Sequence, residues 1–379
     1  MRKRTTMPPT PSTPPTPPTP PPSSPPEVVL GIDLGDRTSE VCVLAAQGGV
    51  VLARFKVETS PASMEAELSR YRGSRAAIEA GAQSPWVSRS LTKVGLSVIV
   101  ANPNQLALIT HSQRKTDRVD AELLARLVRS DVSLLRPVEH RGEQQQAHLE
   151  LLRARDAVVR SRTLQINHVR GALKAVGVRA PSCDAGAFHN QVVDYIPANL
   201  GPSLRPMVRS IKALTLMIRR YDREVERLGA KVYPETALLR EVVGVGPVTS
   251  LAFVLVVANP SRFRKSRQVG AYLGLVPGVS QSGESDPQKR ITKAGNGYMR
   301  RLLVQAAQYI TGPFGTDCTL RRFGLRLAAS GGKRAKKRAV IAVARRLAVM
   351  LHRILVTGEV YDPMRGIPQP EPDPAMAPA

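Results

Sequence analysis

Four carboxylates, Asp33, Glu79, Asp117 and Asp120, are the residues around which chemistry can be built. Asp33 closes the apolar run VVLGID, Glu79 closes AAIE, and the two aspartates lie in RKTDRVDAELLARL. A carboxylate at the end of a buried strand costs free energy unless something cationic satisfies it. Asp117 and Asp120 are three apart, so on a helix they share a face, where like charges repel unless a cation sits between them. Acids so arranged suit two Mg²⁺ ions about 3.5–4 Å apart, which stabilise the attacking and leaving oxygens of a phosphodiester. The plain reading of any one acid alone is a solvated surface group. Their order, spacing and apolar surroundings together favour the metal site.

The rest of the chain is a polyanion binder by composition. Its 379 residues carry 55 Lys+Arg against 30 Asp+Glu, a formal net charge of +25. Such an excess points to nucleic acid or an anionic membrane. No apolar run reaches the roughly 18 residues of a spanning helix, so nucleic acid is the better reading. Phosphate contacts carry no base information, so the charge speaks for binding and not for sequence choice. Cys42, Cys183 and Cys318 are widely spaced, without CxxC or clustered histidines, which argues against a disulfide framework or a zinc site and for thiols in a reducing cytoplasm. The N-terminus has basic residues but no apolar core of a secretory signal.

Three further segments carry chemical character. GVGP, residues 244–247, lies between two apolar helical patterns and is similar to helix-hairpin-helix turns, whose backbone N–H groups meet phosphates; a plain helical turn is the competing reading. In GLVPGVSQSGESDPQKRITKAGNGYMRRLL, residues 274–303, Ser280, Ser282 and Ser285 are surrounded by Lys289, Arg290, Lys293, Arg300 and Arg301. A serine among cations can attack a phosphodiester, although most serines in Gly-rich loops form turns. Lys333, Arg334, Lys336, Lys337 and Arg338 open a basic helix suited to a nucleic-acid backbone. Aromatics do not interleave with that run, so base stacking is not its theme.

Positioning these groups requires an α/β plus α chain. Residues 1–26 read as a disordered Pro-rich tail. Residues 27–136 give three strand patterns, then alternating helix and strand, which predicts an α/β domain with a mixed sheet. A carboxylate on its first strand, another on a later strand and a pair on a helix is the ribonuclease-H-like arrangement. Residues 137–235 predict a helical coiled-coil linker, with Leu204, Met207, Ile211, Leu214, Ile218, Tyr221, Val225, Leu228 and Val232 as an apolar seam. That seam closes either within the chain or between chains. Residues 236–360 predict a helical C-terminal domain, and 361–379 a second disordered tail.

Together these pieces resemble the DEDD transposases of bacterial insertion sequences, now called bridge recombinases. GIDLG, IEAGAQSPW, VIVANP and KTDRVDAELLARL carry the resemblance in the N-terminal half; VVGVGPVTS, AYLGLVPGVSQSG and RITKAGNGYMRRLL carry it in the C-terminal half. The resemblance implies a RuvC-like domain whose four acids are Asp33, Glu79, Asp117 and Asp120, and a nucleophilic serine in the SG dipeptide, here Ser282. It also implies a noncoding bridge RNA that pairs with donor and target DNA, delegating sequence choice to base pairing. A homo-oligomer, dimer or tetramer, would build each site from the acids of one subunit and the serine of another. The Pro-rich extension departs from the family pattern, which raises a translation start nearer Met7 or beyond. A cytoplasmic bacterial protein, associated with the nucleoid when bound to DNA, is expected.

Three other readings compete for the same residues. GIDLGDRT is also similar to the phosphate-binding hairpin of the sugar-kinase, Hsp70 and actin superfamily, but no second such hairpin follows. A Holliday-junction-type endonuclease would use the acids and water without a serine. A nucleic-acid-binding scaffold would use neither.

Overall fold

The structure, a computed structural model, describes residues 27–103, 116–280 and 289–365. The expected tail at 1–26 lies outside them, as do Ser282 and Ser285. The chain divides into two compact units, 1–141 and 142–379.

The first unit is built on a five-stranded sheet ordered β3-β2-β1-β4-β5. Strands β1 (Val28–Asp33), β2 (Thr38–Ala45) and β3 (Val51–Glu58) form an antiparallel meander. Strands β4 (Arg75–Glu79) and β5 (Ser97–Ala101) run parallel to β1. Parallel neighbours need crossover connections, which α1 (Pro61–Leu68) and α2 (Ser84–Lys93) supply. Helix α3 (Asp117–Ser130) then covers the opposite face. Alternation along β1 sorts its side chains. Leu30 and Ile32 join Met64, Leu68, Val87 and Leu91 on one face, and Val29 joins Ala121, Leu124 and Ala125 on the other. Burial on both faces is why β1 reads as an unbroken apolar run.

Gly31 sets how close α3 comes. A Cβ there would lie 2.0 Å from the Ala121 carbonyl oxygen and 2.3 Å from the Ala125 nitrogen. The helix backbone therefore rests on the strand backbone, two residues before Asp33.

The second unit is helical. Its α4 (Glu143–Ala175) and α5 (Gly201–Lys231) pair antiparallel. Leu149 and Leu152 share a core with Val225 and Leu228, while Ile166, Val169 and Leu173 share another with Leu204, Val208 and Ile211. The apolar seam thus closes within the chain, with a correction. Val208 and Thr215 are buried where the heptad reading has Met207 and Leu214, and Val232 is exposed. Thr215 can be buried because its hydroxyl donates to the Ile211 carbonyl at 2.8 Å.

Helix α6 (Pro247–Val257) is buried from Thr249 onward and forms the centre of the C-terminal core. Around it lie α7 (Gly297–Thr311), α8 (Thr319–Ala328) and α9 (Gly332–Thr357). Residues from α4 and α5 belong to the same core cluster. Where the sequence suggests a linker and a separate domain, the structure has one unit. Of the expected tail at 361–379, residues 366–379 lie outside the described ones; within 361–365, Tyr361 packs on this core, and the Thr319 N–H donates to the Pro363 carbonyl at 2.8 Å.

Candidate active site and nucleic-acid surface

Asp33 and Glu79 end adjacent parallel strands. The register pairs Ile32 with Ile78, so the two acids follow side by side at the same sheet edge. Both lie on the α3 face by alternation, since Val29 and Ala77 pack there. Helix α3 begins at this edge. The Thr116 hydroxyl caps it by accepting from the Val119 N–H at 3.3 Å. Asp120, only 6 % exposed, shares the sheet-facing side with Ala121 and Leu124. Asp117 occupies the first helical position and is exposed. Both aspartates also suit the positive end of the helix dipole.

The edge is braced from outside. The Gln83 side-chain amide donates to the carbonyls of Gly35 (3.2 Å) and Asp36 (3.3 Å), tying the loop after Glu79 to the turn after Asp33. At the start of α2, the Ser84 hydroxyl meets the His140 imidazole at 2.9 Å. Burial, with Arg89 and Arg141 nearby, holds that imidazole's pKa below its ordinary range.

A fifth acid escaped sequence reasoning. Glu40 on β2 is the direct cross-strand partner of Asp33. It lies on the α3 face, two residues from Cys42, and pairs with Lys56 at 3.3 Å. It lies seven positions after Asp33 in sequence, and only strand register brings the two together.

Hard carboxylate oxygens suit a divalent cation such as Mg²⁺. As the side chains stand, no three His, Cys, Asp or Glu residues among the described ones close into a group that could hold a metal ion. The fold gathers Asp33, Glu79 and Asp120 on one face of one edge without completing a coordination shell.

In the second unit, the serine segment is held by a short stem. Pro277 and Ile291 form an antiparallel bridge, flanked by N–H donation from Gly278 to Arg290 (3.0 Å) and from Thr292 to Val276 (2.9 Å). Ser280, exposed, is the last described residue before Ser282. Gly274, at φ +66°, sits where a Cβ would meet the Ala294 backbone at 2.4 Å. The Arg300 guanidinium clamps the stem by donating to the carbonyls of Leu273 (3.0 Å) and Ala294 (2.9 Å). Arg301 pairs with Asp156 at 2.6 Å and lies over the Tyr298 ring. Burial and Asp156 push the Tyr298 phenol up to about 12. Arg300 and Arg301 thus have structural partners, whereas Lys289, Arg290 and Lys293 are exposed on the stem.

Lys333, Arg334, Lys336, Lys337 and Arg338 are all exposed at the start of α9. Cations there oppose the helix dipole, and no acid stands in that first turn. Helix stability therefore does not explain them. The GVGP turn joins a short helix to α6, with Gly244 at φ +81° packed against α7. Among the described residues no helix is long and apolar enough to cross a membrane.

Two family models match this chain. One, described as a transposase of the DEDD IS110 type, covers residues 30–177; the other, the transposase IS116/IS110/IS902 family, covers 236–313. The chain belongs to this transposase family. The first match spans all four acids, and the second spans the stem and Ser282. The transposase of insertion sequence element IS1111A from Coxiella burnetii is 27% identical over 88% of this chain and 91% of its own length. A probable family 20 transposase from Pseudomonas aeruginosa is 28% identical over 62% of this chain and 70% of its own. Among solved structures, T. thermophilus RuvC in complex with a Holliday junction substrate is 18% identical, covering 26% of this chain and 90% of that one, with a TM-score of 0.22.

Proposed function

We propose that this transposase cuts and rejoins DNA through a phosphoserine intermediate, with Asp33, Glu79, Asp117 and Asp120 as its acidic site and Ser282 as nucleophile. The observation that carries the reading is the pairing of Asp33 with Glu79 at adjacent parallel strand ends, with buried Asp120 on the same face. Three carboxylates converge at one edge of the sheet, a placement that burial of the apolar core does not call for.

In the chemical step the Ser282 hydroxyl oxygen bonds to phosphorus while one phosphorus–deoxyribose oxygen bond breaks. The hydroxyl proton leaves, and the departing sugar oxygen gains one. The reverse attack, by a sugar oxygen of another strand, regenerates the serine and joins the new partners. The number of phosphodiester bonds is conserved, so no external energy source is needed. Mg²⁺ bound by the four acids would neutralise charge on the phosphate. The exposed cations at 289–293 and at the start of α9 would hold the DNA backbone.

The finer parts of the reading rest on the family resemblance. A bridge RNA would choose donor and target, and an oligomer would bring the acids of one subunit to the serine of another. Sequence choice delegated to an RNA would explain a net charge of +25 with no obvious base-reading motif.

The test is strand cleavage of element-end DNA in Mg²⁺. Asp120→Asn and Ser282→Ala should each abolish cleavage while leaving DNA binding intact. Cleavage by Ser282→Ala at the wild-type rate would instead make the protein a water-using nuclease.

A further inference from the structure

A cluster of arginines lies at the opposite end of the sheet from the acids. A cleft of about 740 Å³ opens there, beside the starts of β1 and β4. Four arginines line it, Arg70, Arg72, Arg75 and Arg129, against a single acid, Glu27. Its volume falls within the roughly 300–1,000 Å³ of pockets that take compact organic ligands.

These guanidiniums are not consumed by the fold. Among the described residues, Arg70 alone of the four has an ion pair, with Glu67 at 3.3 Å. Arg72 donates to the Val94 carbonyl at 3.3 Å through Nε only. The Arg129 Nε is shut off from solvent with no hydrogen-bond partner. Arg129 sits in the last turn of α3, where a cation suits the helix dipole. That and the Arg70–Glu67 pair account for two of the four charges and leave those of Arg72 and Arg75 without an ion pair. Like charges gathered in a concave surface repel, and an anion held among them relieves that repulsion.

The wall chemistry narrows the ligand. Arg70 lies over the Phe55 ring at 4.9 Å and the Tyr71 ring at 5.2 Å, which orients its planar fork. Tyr71 and Leu52 give the cleft an apolar side. Guanidinium forks match phosphate oxygens, and an aromatic with an aliphatic neighbour matches a base face. We infer that this cleft binds a short stretch of single-stranded nucleic acid, phosphates on Arg72, Arg75 and Arg129 and a base against Tyr71. The length of β1 puts the cleft about 17 Å from the acids, at about 3.3 Å per residue. It is therefore a contact separate from the cutting site, and it stands whether or not the acids hold metal.

The experiment uses the full-length protein and fluorescein-labelled single-stranded 12-mers, one RNA and one DNA. The triple variant Arg72→Ala, Arg75→Ala, Arg129→Ala should bind at least ~10-fold more weakly, and its log–log salt slope should fall by about 2, from ~0.7 per lost phosphate contact. Loss in one arm assigns that nucleic acid; loss in both assigns single strands in general. A control triple, Arg153→Ala, Arg227→Ala and Arg240→Ala, removes the same charge from residues already ion-paired and should change the slope by less than about 1. Phenylglyoxal modification of the unmutated protein gives an independent reading: bound 12-mer should protect Arg72, Arg75 and Arg129. Unchanged affinity with no protection, or an equal loss in the control, overturns the inference.

Discussion

Asp120 and Asp117 differ in a way their spacing conceals. Asp120 is buried on the sheet side of α3 and Asp117 is exposed at the helix start. A carboxylate fixed in a low-dielectric wall attracts a bound cation more strongly than one in water. Asp117→Asn should therefore lower the cleavage rate less than Asp120→Asn. Glu40 stands beside Asp33 in strand register and pairs with Lys56, a position from which it can support a ligand. Glu40→Gln should cost about 10–100-fold in activity, the range typical of groups that support metal ligands. Single-turnover cleavage at saturating Mg²⁺ checks both, and a wild-type rate for Glu40→Gln would remove it from the site. Glu40 was not legible in the sequence, because strand register has no local signal. Asp33 and Glu79 were legible because each closes an apolar run.

Helix α3 links packing to function at the scale of elements. Its backbone touches β1 at Gly31, so Gly31→Ala must push the helix away from the strand. Overpacking of this kind costs about 1–3 kcal/mol. The denaturation midpoint of the first unit should fall, and cleavage should fall with it because Asp120 moves with α3. An unchanged midpoint would mean that the helix does not rest on the strand. The strands were readable since the central ones are apolar throughout or alternate clearly. The α5 seam was half readable. Leu204, Ile211 and Ile218 are buried as the heptad predicts, but α4 packs on the side that turns Val208 and Thr215 inward. Two neighbouring stripes of similar hydropathy cannot be ranked without the partner helix. The stem under the serine segment was legible as a Gly-rich loop, but Arg300 as its clamp was not, since carbonyl acceptors leave no trace in sequence.

The whole molecule is strongly basic, and two histidines shape its pH response just below neutrality. Burial and nearby cations lower the pKa of both His140 and His189 from the ordinary 6.5. Both are neutral in the fold at pH values where the unfolded chain already takes up protons. Stability is therefore full above pH 6.5 and falls as pH drops below it toward the lowered values. Denaturation midpoints at pH 7.5 and pH 5.5 should show the loss, and a His140→Gln, His189→Gln variant should show less of it. Equal slopes in variant and wild type would assign the acid response to other groups.

At this same scale, the proposed serine and acid chemistry must act on one DNA strand. The most direct measurement is to stall the reaction on element-end DNA, digest the adduct with nuclease and protease, and locate the nucleotide by mass spectrometry. A phosphodeoxynucleotide on Ser282, formed by the wild type and absent from Asp33→Asn, is the predicted result. DNA ends that carry only free phosphate and hydroxyl at every time point, with no modified serine, would contradict it.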